Sequence, residues 1–154
     1  MAGEGMRGAM VAIGAYGAGD SSEGGPMAWS LLAIVADCRD SLSQANWWAA
    51  VLGHQVSERN AHEYEVSDPS SGRTRLYFMN VPEPKTVKNR LHIDITTDGS
   101  LEDGVARLVA MGGRLVEMRQ DPETLANPDT WAVMQDPEGN EFCVFNVDSV
   151  TGLA

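Results

Sequence analysis

A histidine and an aspartate in the second half of the chain have a spacing that suits acid–base chemistry. His92 and Asp94 lie two residues apart in Leu91-His-Ile-Asp-Ile-Thr-Thr, which alternates apolar and polar side chains as a β-strand does. Such neighbours point to the same side of a sheet, so Asp94 can orient the imidazole. Histidine titrates near neutral pH and therefore suits proton transfer or ligand binding. The alternatives are a hydrogen-bonded core histidine and a solvent-facing carboxylate.

A second pair, Glu141 and Cys143, shares one face of the last predicted strand. Cys143 would be a nucleophile if a nearby cation stabilised its thiolate, but strand cysteines more commonly act as small buried apolar residues. Glu141 would serve as a base or hydrogen-bond acceptor, or it is a surface carboxylate. The two cysteines, Cys38 and Cys143, form no CxxC spacing, so we expect reduced thiols and a cytoplasmic location.

Four tryptophans supply aromatic surface. Trp131 opens a predicted strand beside the last turn, and we expect it to line a pocket. Trp48 fits the helical core stripe, whereas Trp47 falls off that stripe and, if exposed, would mark a dimer contact. His54 and His62 have glutamates nearby, but their positions are more typical of a solvated hairpin than of a metal site.

Charge and composition exclude several classes of function. The net charge of −11 argues against nucleic acid and against anionic membrane surfaces, which both favour clustered Lys and Arg. No run of about 18 apolar residues is present, so no transmembrane helix is predicted. The P-loop and GxSxG motifs are also missing from the sequence. Lys85, Lys88 and Arg90 form a cationic cluster that could hold an anionic ligand, or they are ordinary linker charge.

The elements that must position these side chains occur twice. Residues 29–80 read as a buried strand, a helix ending at Gly53, and strands at 54–59, 62–67 and 74–79. Residues 91–147 repeat that order: a strand, a helix that begins with a capping box at Ser100 and ends at glycines, and strands at 114–119, 130–135 and 141–147. An Asp-Pro turn separates the last two strands of each half. The sequence therefore predicts an α+β domain of two tandem βαβββ modules.

The segments outside the modules have linker and tail composition. Residues 81–90 join the modules, and residues 1–26 predict a flexible N-terminal tail without the basic and continuous apolar regions of a signal peptide. Met27 is then a plausible natural start, with the domain over 27–148 and a short tail over 149–154. A single module leaves the open face of its curved sheet uncovered. Pairing two modules, within one chain or between chains, would enclose a cavity that suits a ligand.

Several segments resemble the vicinal oxygen chelate superfamily of glyoxalase and bleomycin-resistance proteins. Asp136-Pro-Glu-Gly-Asn-Glu-Phe-Cys143 is similar to the signature that enters the last strand of that family. Residues 81–94 look like a segment common in bacterial glyoxalase-like domains, and residues 29–53 resemble the first strand and helix. The resemblance implies the glyoxalase/bleomycin resistance/dioxygenase fold, with curved mixed sheets around a cavity. Because that fold hosts lyases, isomerases, dioxygenases and antibiotic-sequestering proteins, it does not choose an activity.

The resemblance also implies four positions whose side chains would bind a divalent metal. Too few of them carry a metal-binding residue in this sequence. These positions are Ser30, Leu76, His92 and Cys143. Leu76 cannot bind a metal and serine is a poor ligand, whereas a closed site needs several converging donors. Asp94 or Glu141 would join only if the strand register slipped. We therefore expect no cofactor and no metal at the site.

The sequence thus supports three hypotheses. The first is a small-molecule-binding protein whose inter-sheet cavity is lined by Ser30, His92, Asp94, Trp131, Glu141 and Cys143, and in which His92 is the catalytic candidate if the protein acts as a metal-independent lyase or isomerase. The second is a metal-dependent lyase, isomerase or dioxygenase. The third is a dimer that sequesters an antibiotic or metabolite without chemistry. A homodimer is expected in any case, and the residues alone do not decide whether the protein is an enzyme.

Overall fold

The computed structural model describes residues 30–71, 75–120 and 130–146. The predicted tails at 1–26 and 149–154, and Trp29, lie outside these ranges. The chain divides into two compact units, Met1–Leu31 and Leu32–Ala154. Both modules belong to the second unit, to which the description below applies. In the described residues no helix is long and apolar enough to cross a membrane.

The elements occur twice in the predicted order, which confirms the α+β architecture of two βαβββ modules. The first module contains β1 (Ile34–Cys38), α1 (Ser41–Leu52), β2 (Gln55–Asn60), β3 (Glu63–Ser67) and β4 (Arg75–Asn80). The second contains β5 (Asp94–Thr97), α2 (Leu101–Ala110), β6 (Arg114–Gln120), β7 (Thr130–Gln135) and β8 (Glu141–Asn146).

Each module forms one mixed, four-stranded sheet. The strand orders are β1-β4-β3-β2 and β5-β8-β7-β6. The pairs β1–β4 and β5–β8 are parallel, and the other neighbours are antiparallel. The helix of each module packs on one face of its sheet. We call the opposite face the helix-free face. Its side chains are not covered by the helix and can contact a ligand or another molecule.

Local signals in the sequence set the ends of both helices. Asp40 caps α1 by accepting a hydrogen bond from the backbone N–H of Ser43 at 3.0 Å, and Gly53 ends it with a φ of 68°. At α2 the predicted capping box is confirmed, since Ser100 accepts from the N–H of Asp103 at 3.1 Å and donates to its carboxylate at 2.8 Å.

The two modules share one hydrophobic core. The Trp48 and Phe142 rings meet edge to face with centroids 5.1 Å apart, and Trp47 meets Phe142 in the same way at 5.8 Å. Trp47 is only 8% exposed, and its indole N–H donates to the carbonyl of Met111 at 2.9 Å. Trp47 therefore belongs to the core although it falls off the helical stripe, and the exposure on which a dimer contact depended is not observed. The helical stripe in the sequence reflects burial within the first module only. Trp47 is buried because Phe142 and Met111 of the second module cover it.

The turn between β7 and β8 clamps the second module onto α1. The buried Asp136 carboxylate accepts hydrogen bonds from the side chains of Gln44 and Trp48, the latter at 3.2 Å. Within the turn it accepts from the backbone N–H groups of Glu138 at 3.0 Å and Asn140 at 2.9 Å. The Asp-Pro-Glu-Gly turn thus connects the modules as well as two strands.

The same turn also reaches the residues just before α1. The Glu138 carboxylate accepts from the backbone N–H groups of Arg39 at 3.1 Å and Asp40 at 3.2 Å. These donors precede the first turn of the helix, where backbone N–H groups need partners from outside the helix. One side chain of the second module therefore satisfies two donors of the first.

The register of β4 corrects one assignment made from the sequence. Leu76 pairs with Ile34 and faces the core, whereas Cys143 pairs with Asp94 on the helix-free face. The side chain in the first sheet that corresponds to Cys143 is Tyr77, which pairs with Val35. Counting from the turn glycine slips by one residue because β4 begins three residues after Gly72, whereas β8 begins two residues after Gly139. A one-residue slip moves every side chain to the other face.

The first strand of each module is also shorter than the alternation predicts. Strands were expected to begin at Trp29 and Leu91, but β1 begins at Ile34 and β5 at Asp94. The parallel ladders begin at the Ile34–Leu76 and Asp94–Cys143 pairs. Leu32 and Leu91, which precede the paired residues, are 69% and 66% exposed, so the apolar pattern there reflects neither strand pairing nor burial.

Candidate functional site

The helix-free face of the second sheet gathers most of the residues singled out from the sequence. Asp94 lies beside Cys143 across the parallel β5–β8 ladder, and Cys143 lies beside Val133 on β7. Two residues further along β8, Phe145 pairs with Trp131. We call Asp94, Trp131, Val133, Cys143 and Phe145 the Cys143 cluster. It combines a carboxylate, a thiol and two aromatic rings on one surface.

The environment of Cys143 keeps its thiol protonated at neutral pH. Burial is the main cause that raises its pKa from 9.0 to about 11, and Asp94 adds to the rise by its charge and by accepting a hydrogen bond from the thiol. Lys88 and Arg119 act in the opposite direction, so both cations lie within electrostatic reach of the sulfur. A protonated thiol is a poor nucleophile, and this geometry suits a hydrogen-bond donor better.

The aromatic pair forms a platform at the other end of the cluster. The Trp131 and Phe145 rings stack with centroids 5.9 Å apart and planes inclined by 19°. Both residues are half-buried. Arg119 pairs with Trp131 across β6–β7, and its guanidinium donates to Glu117 at 2.8 Å. The sequence interpretation missed Phe145 and Arg119, although the period-two alternation from Cys143 would have placed Phe145 on this face.

His92 lies just before β5, in contact with the linker between the modules. Its Nε2 atom is 2.8 Å from the Lys88 ammonium and 3.2 Å from the carbonyl oxygen of Asn89. The Lys88 ammonium can only donate and the Asn89 carbonyl can only accept, so these two contacts require opposite roles of Nε2 and do not fix the ring tautomer. We expected Asp94 to orient this imidazole, but the side chain that contacts the ring is Lys88. Asp94 instead lies beside Cys143 in the β5–β8 ladder.

Glu141 holds the linker against the second sheet. Its carboxylate accepts from the backbone N–H of Asn89 at 2.9 Å, the Lys85 ammonium at 2.9 Å and the Gln135 amide at 3.2 Å. Burial by itself would raise the pKa of Glu141, but these donors outweigh it and lower the pKa from 4.5 to about 2. The carboxylate therefore acts as an anchor that fixes Lys88 and His92 beside the Cys143 cluster.

The corresponding face of the first sheet carries a different, self-contained arrangement. Glu65 is only 7% exposed, and its carboxylate lies 3.6 Å from both Arg59 and Arg75. The Arg59 guanidinium also lies 5.9 Å from the centroid of the Tyr77 ring. This ion-pair network on the first sheet lies at positions equivalent to those of the Cys143 cluster on the second sheet.

The donor set does not fit the metal site that the fold family implies. Counting back two residues from Val35 and Asp94 makes Ala33 the counterpart of His92, so Ser30 lies three residues too early and is exposed. With Tyr77 in place of Leu76, two of the four family positions carry no ordinary metal ligand. Across residues 30–71, 75–120 and 130–146, no three His, Cys, Asp or Glu side chains converge as a metal site requires.

Two further hollows lie elsewhere in the second unit. One of about 200 Å³ lies between the modules and has apolar walls at Trp48, Phe78 and Phe142. The predicted site residue Glu141 and the linker residue Arg90 also line it. Another of about 250 Å³ lies between the helices, where Val51, Ile95, Leu108, Met111 and Val144 contribute apolar walls. Neither contains the Cys143 cluster.

Comparison with known proteins identifies the family. The glyoxalase-like domain profile matches residues 33–145. A glyoxalase/bleomycin resistance protein/dioxygenase family enzyme from Burkholderia phytofirmans is 21% identical, with a TM-score of 0.57 over 74% of this chain and 95% of its own. No curated protein matches the chain.

Two characterised proteins share the fold at lower identity. The fosfomycin resistance protein of Listeria monocytogenes, solved with Mn(II) and a sulfate ion, is 11% identical with a TM-score of 0.62 and covers 80% of this chain and 95% of its own. The lactoylglutathione lyase of Agrobacterium tumefaciens is 12% identical with a TM-score of 0.55 and covers 79% and 96%. At such identities the likeness shows the fold alone. The duplicated βαβββ architecture and the profile match over both modules together show that this chain belongs to the glyoxalase-like domain family of the vicinal oxygen chelate superfamily.

Proposed function

We propose that this protein binds a small organic molecule on the helix-free face of its second sheet and uses no metal to do so. The observation that carries the proposal is the half-buried Trp131–Phe145 stack beside the Asp94–Cys143 pair. Ligand sites typically combine apolar and aromatic walls with a few well-placed polar groups. The Cys143 cluster has that composition.

The aromatic platform favours a ligand with a planar part. Offset stacking on an aromatic side chain contributes about 0.5–1.5 kcal/mol beyond the burial of apolar area. The protonated thiol of Cys143 and the Asp94 carboxylate then supply one donor and one acceptor at a fixed place on the sheet. Binding through such groups needs neither a covalent intermediate nor a metal.

The proposal is tested with a neutral planar probe, naphthalene-2-carboxamide, titrated into isotope-labelled protein and followed by NMR. The expected result is saturable shifts at Trp131 and along β8, and an affinity that falls about tenfold in Trp131→Ala. Leu115→Ala is the control, because it removes a part-exposed apolar side chain from the other face of the same sheet. Equal affinity in both variants, or shifts confined to the two hollows outside the cluster, would contradict the proposal.

A lyase or isomerase activity is the second candidate, and the partly exposed His92 imidazole favours it. In this reading His92 transfers a proton after its Nε2 atom leaves Lys88. A lactoylglutathione lyase assay with and without added Mn²⁺ tests it, together with elemental analysis of the purified protein. Turnover that disappears in His92→Ala while the probe still binds would make His92 catalytic. Stoichiometric metal would instead support the metal-dependent alternative.

Assembly and location complete the proposal. We propose a homodimer, because Val35 and Met79 expose 52% and 37% of their surface on the helix-free face of the first sheet. A cytoplasmic location is consistent with Cys38 and Cys143, which are both free thiols. Ser30 remains a predicted ligand contact that the ligand-bound protein would have to test.

A further inference from the structure

Uncompensated positive charge lies beside the Cys143 cluster in a chain whose net charge is −11. Lys88, Arg90 and His92 line one open hollow together with Val87 and Asn89. Among the residues that the structure describes, neither Lys88 nor Arg90 has a carboxylate within 4.0 Å. The partner of the Lys88 ammonium is the His92 imidazole, which does not neutralise it.

Other basic side chains of the same region are neutralised within the fold. Lys85 pairs with Glu141 at 2.9 Å, and Arg119 pairs with Glu117. The contrast matters because adjacent cations repel one another, and the repulsion is relieved when an anion lies between them. An anionic group bound in the hollow would therefore be attracted by both Lys88 and Arg90.

The hollow is also held in place and lies close to the aromatic platform. The bonds from Glu141 to the backbone of Asn89 and to Lys85 fix the linker on both sides of Lys88. The backbone N–H of Cys143 donates to the carbonyl of Ile93 at 2.9 Å, and the residue before Ile93 in the chain, His92, lines the hollow. From Cys143 to Phe145 the strand advances about 7 Å, which is the length of two fused aromatic rings.

We infer that the ligand is an organic anion whose oxyanion group binds at Lys88 and Arg90 and whose planar body extends over Cys143 to Trp131 and Phe145. The inference rests on the proposed function and narrows it to one chemical class. A carboxylate and a phosphate-type group both fit this description. Both are recognised by Lys and Arg through charge-assisted hydrogen bonds.

The experiment compares naphthalene-2-carboxylate with the isosteric naphthalene-2-carboxamide at low salt, by calorimetry. The carboxylate is expected to bind about tenfold more tightly, since a hydrogen bond to a charged group contributes at least that much. Lys88→Gln and Arg90→Gln are expected to lower the affinity for the carboxylate severalfold and to leave the carboxamide unchanged. Arg107→Gln, which removes one charge from α2, is the matched control. Naphthalen-2-yl phosphate in a third arm separates the two oxyanion sources.

The outcomes separate the inference from the proposed function. If the carboxamide binds at the cluster as tightly as both anions, the ligand class is wrong and the binding function stands. The class is also wrong if Arg107→Gln weakens carboxylate binding as much as Lys88→Gln does, because the attraction would then be long-range only. If none of the three probes binds, the proposed function fails and the inference fails with it.

Discussion

Replacing Asp136 by alanine tests whether the β7–β8 turn holds the two modules together. The substitution leaves the side-chain donors of Gln44 and Trp48 without their acceptor, and these residues are only 1% and 2% exposed. A buried donor without a partner costs about 1–3 kcal/mol. The expected loss from both donors is therefore roughly 4 kcal/mol of unfolding free energy, a large part of the roughly 5–15 kcal/mol typical of a domain.

The assay is equilibrium unfolding in urea at neutral pH, supported by thermal unfolding. The melting temperature should fall by about 10 °C, since each kcal/mol lowers it by roughly 2–4 °C in a chain of this size. Asp37→Ala is the matched control, because Asp37 is exposed on β1 and its loss should change stability by less than about 0.5 kcal/mol. A double-mutant cycle with Gln44→Ala should show coupling of about 1 kcal/mol.

The result that would refute this reasoning is an Asp136→Ala variant within about 1 kcal/mol of the Asp37→Ala control. Burial raises the pKa of Asp136, and the bonds from Asn140, Trp48 and Glu138 oppose that rise. A small loss of unfolding free energy would mean that the desolvation cost of the buried carboxylate nearly equals the stabilisation from the hydrogen bonds it accepts. The Trp47, Trp48 and Phe142 rings and the bonds of Glu138 to Arg39 and Asp40 would then hold the modules together.

Three further predictions concern the site and its surroundings. The pKa of Glu141 is lowered from 4.5 to about 2 in the folded protein, so its ionised form contributes stability above pH 4.5 that is lost as the pH falls to 2. Urea unfolding should therefore show a steeper acid loss for the parent protein than for Glu141→Gln, and parallel curves would contradict the anchor. After burial, Asp94 is the next cause that raises the pKa of Cys143, so Asp94→Asn should lower that pKa from about 11 toward 9.0. Alkylation of Cys143 in a Cys38→Ser background should accelerate roughly threefold for each half unit of the fall, and an unchanged rate would mean that the thiol does not bond to Asp94. Sedimentation should show a dimer that Val35→Asp dissociates, whereas a monomeric parent protein would contradict the assembly.

The architecture was predictable because two independent signals repeat in the sequence. Helical stripes ended by glycine and strands separated by Asp-Pro turns occur in the same order twice, and the elements follow that order. The largest differences are at the starts of β1 and β5, which lie five and three residues later than expected. Trp47 was misplaced because its burial depends on Phe142 of the other module. A pattern read within one module does not contain contacts between modules.

The candidate site was predictable only in part, for a related reason. Strand alternation placed Asp94 and Cys143 on one face, because side-chain direction in a strand depends on local geometry alone. The partners of His92 and Glu141 come from the linker, whose path has no periodic signal. Leu76 was assigned to the wrong face because the distance from the turn glycine to the start of the next strand differs by one residue between the modules.

The bonds that Asp136 and Glu138 accept have a consequence for the independence of the two modules. Donors at the start of the first module find acceptors that only the second module supplies. A gene fragment that encodes residues 32–80 alone would expose two tryptophans and two bare amide groups to water. We therefore expect each module to be soluble only when both are produced together in one chain or mixed, because neither module alone covers its share of the common core.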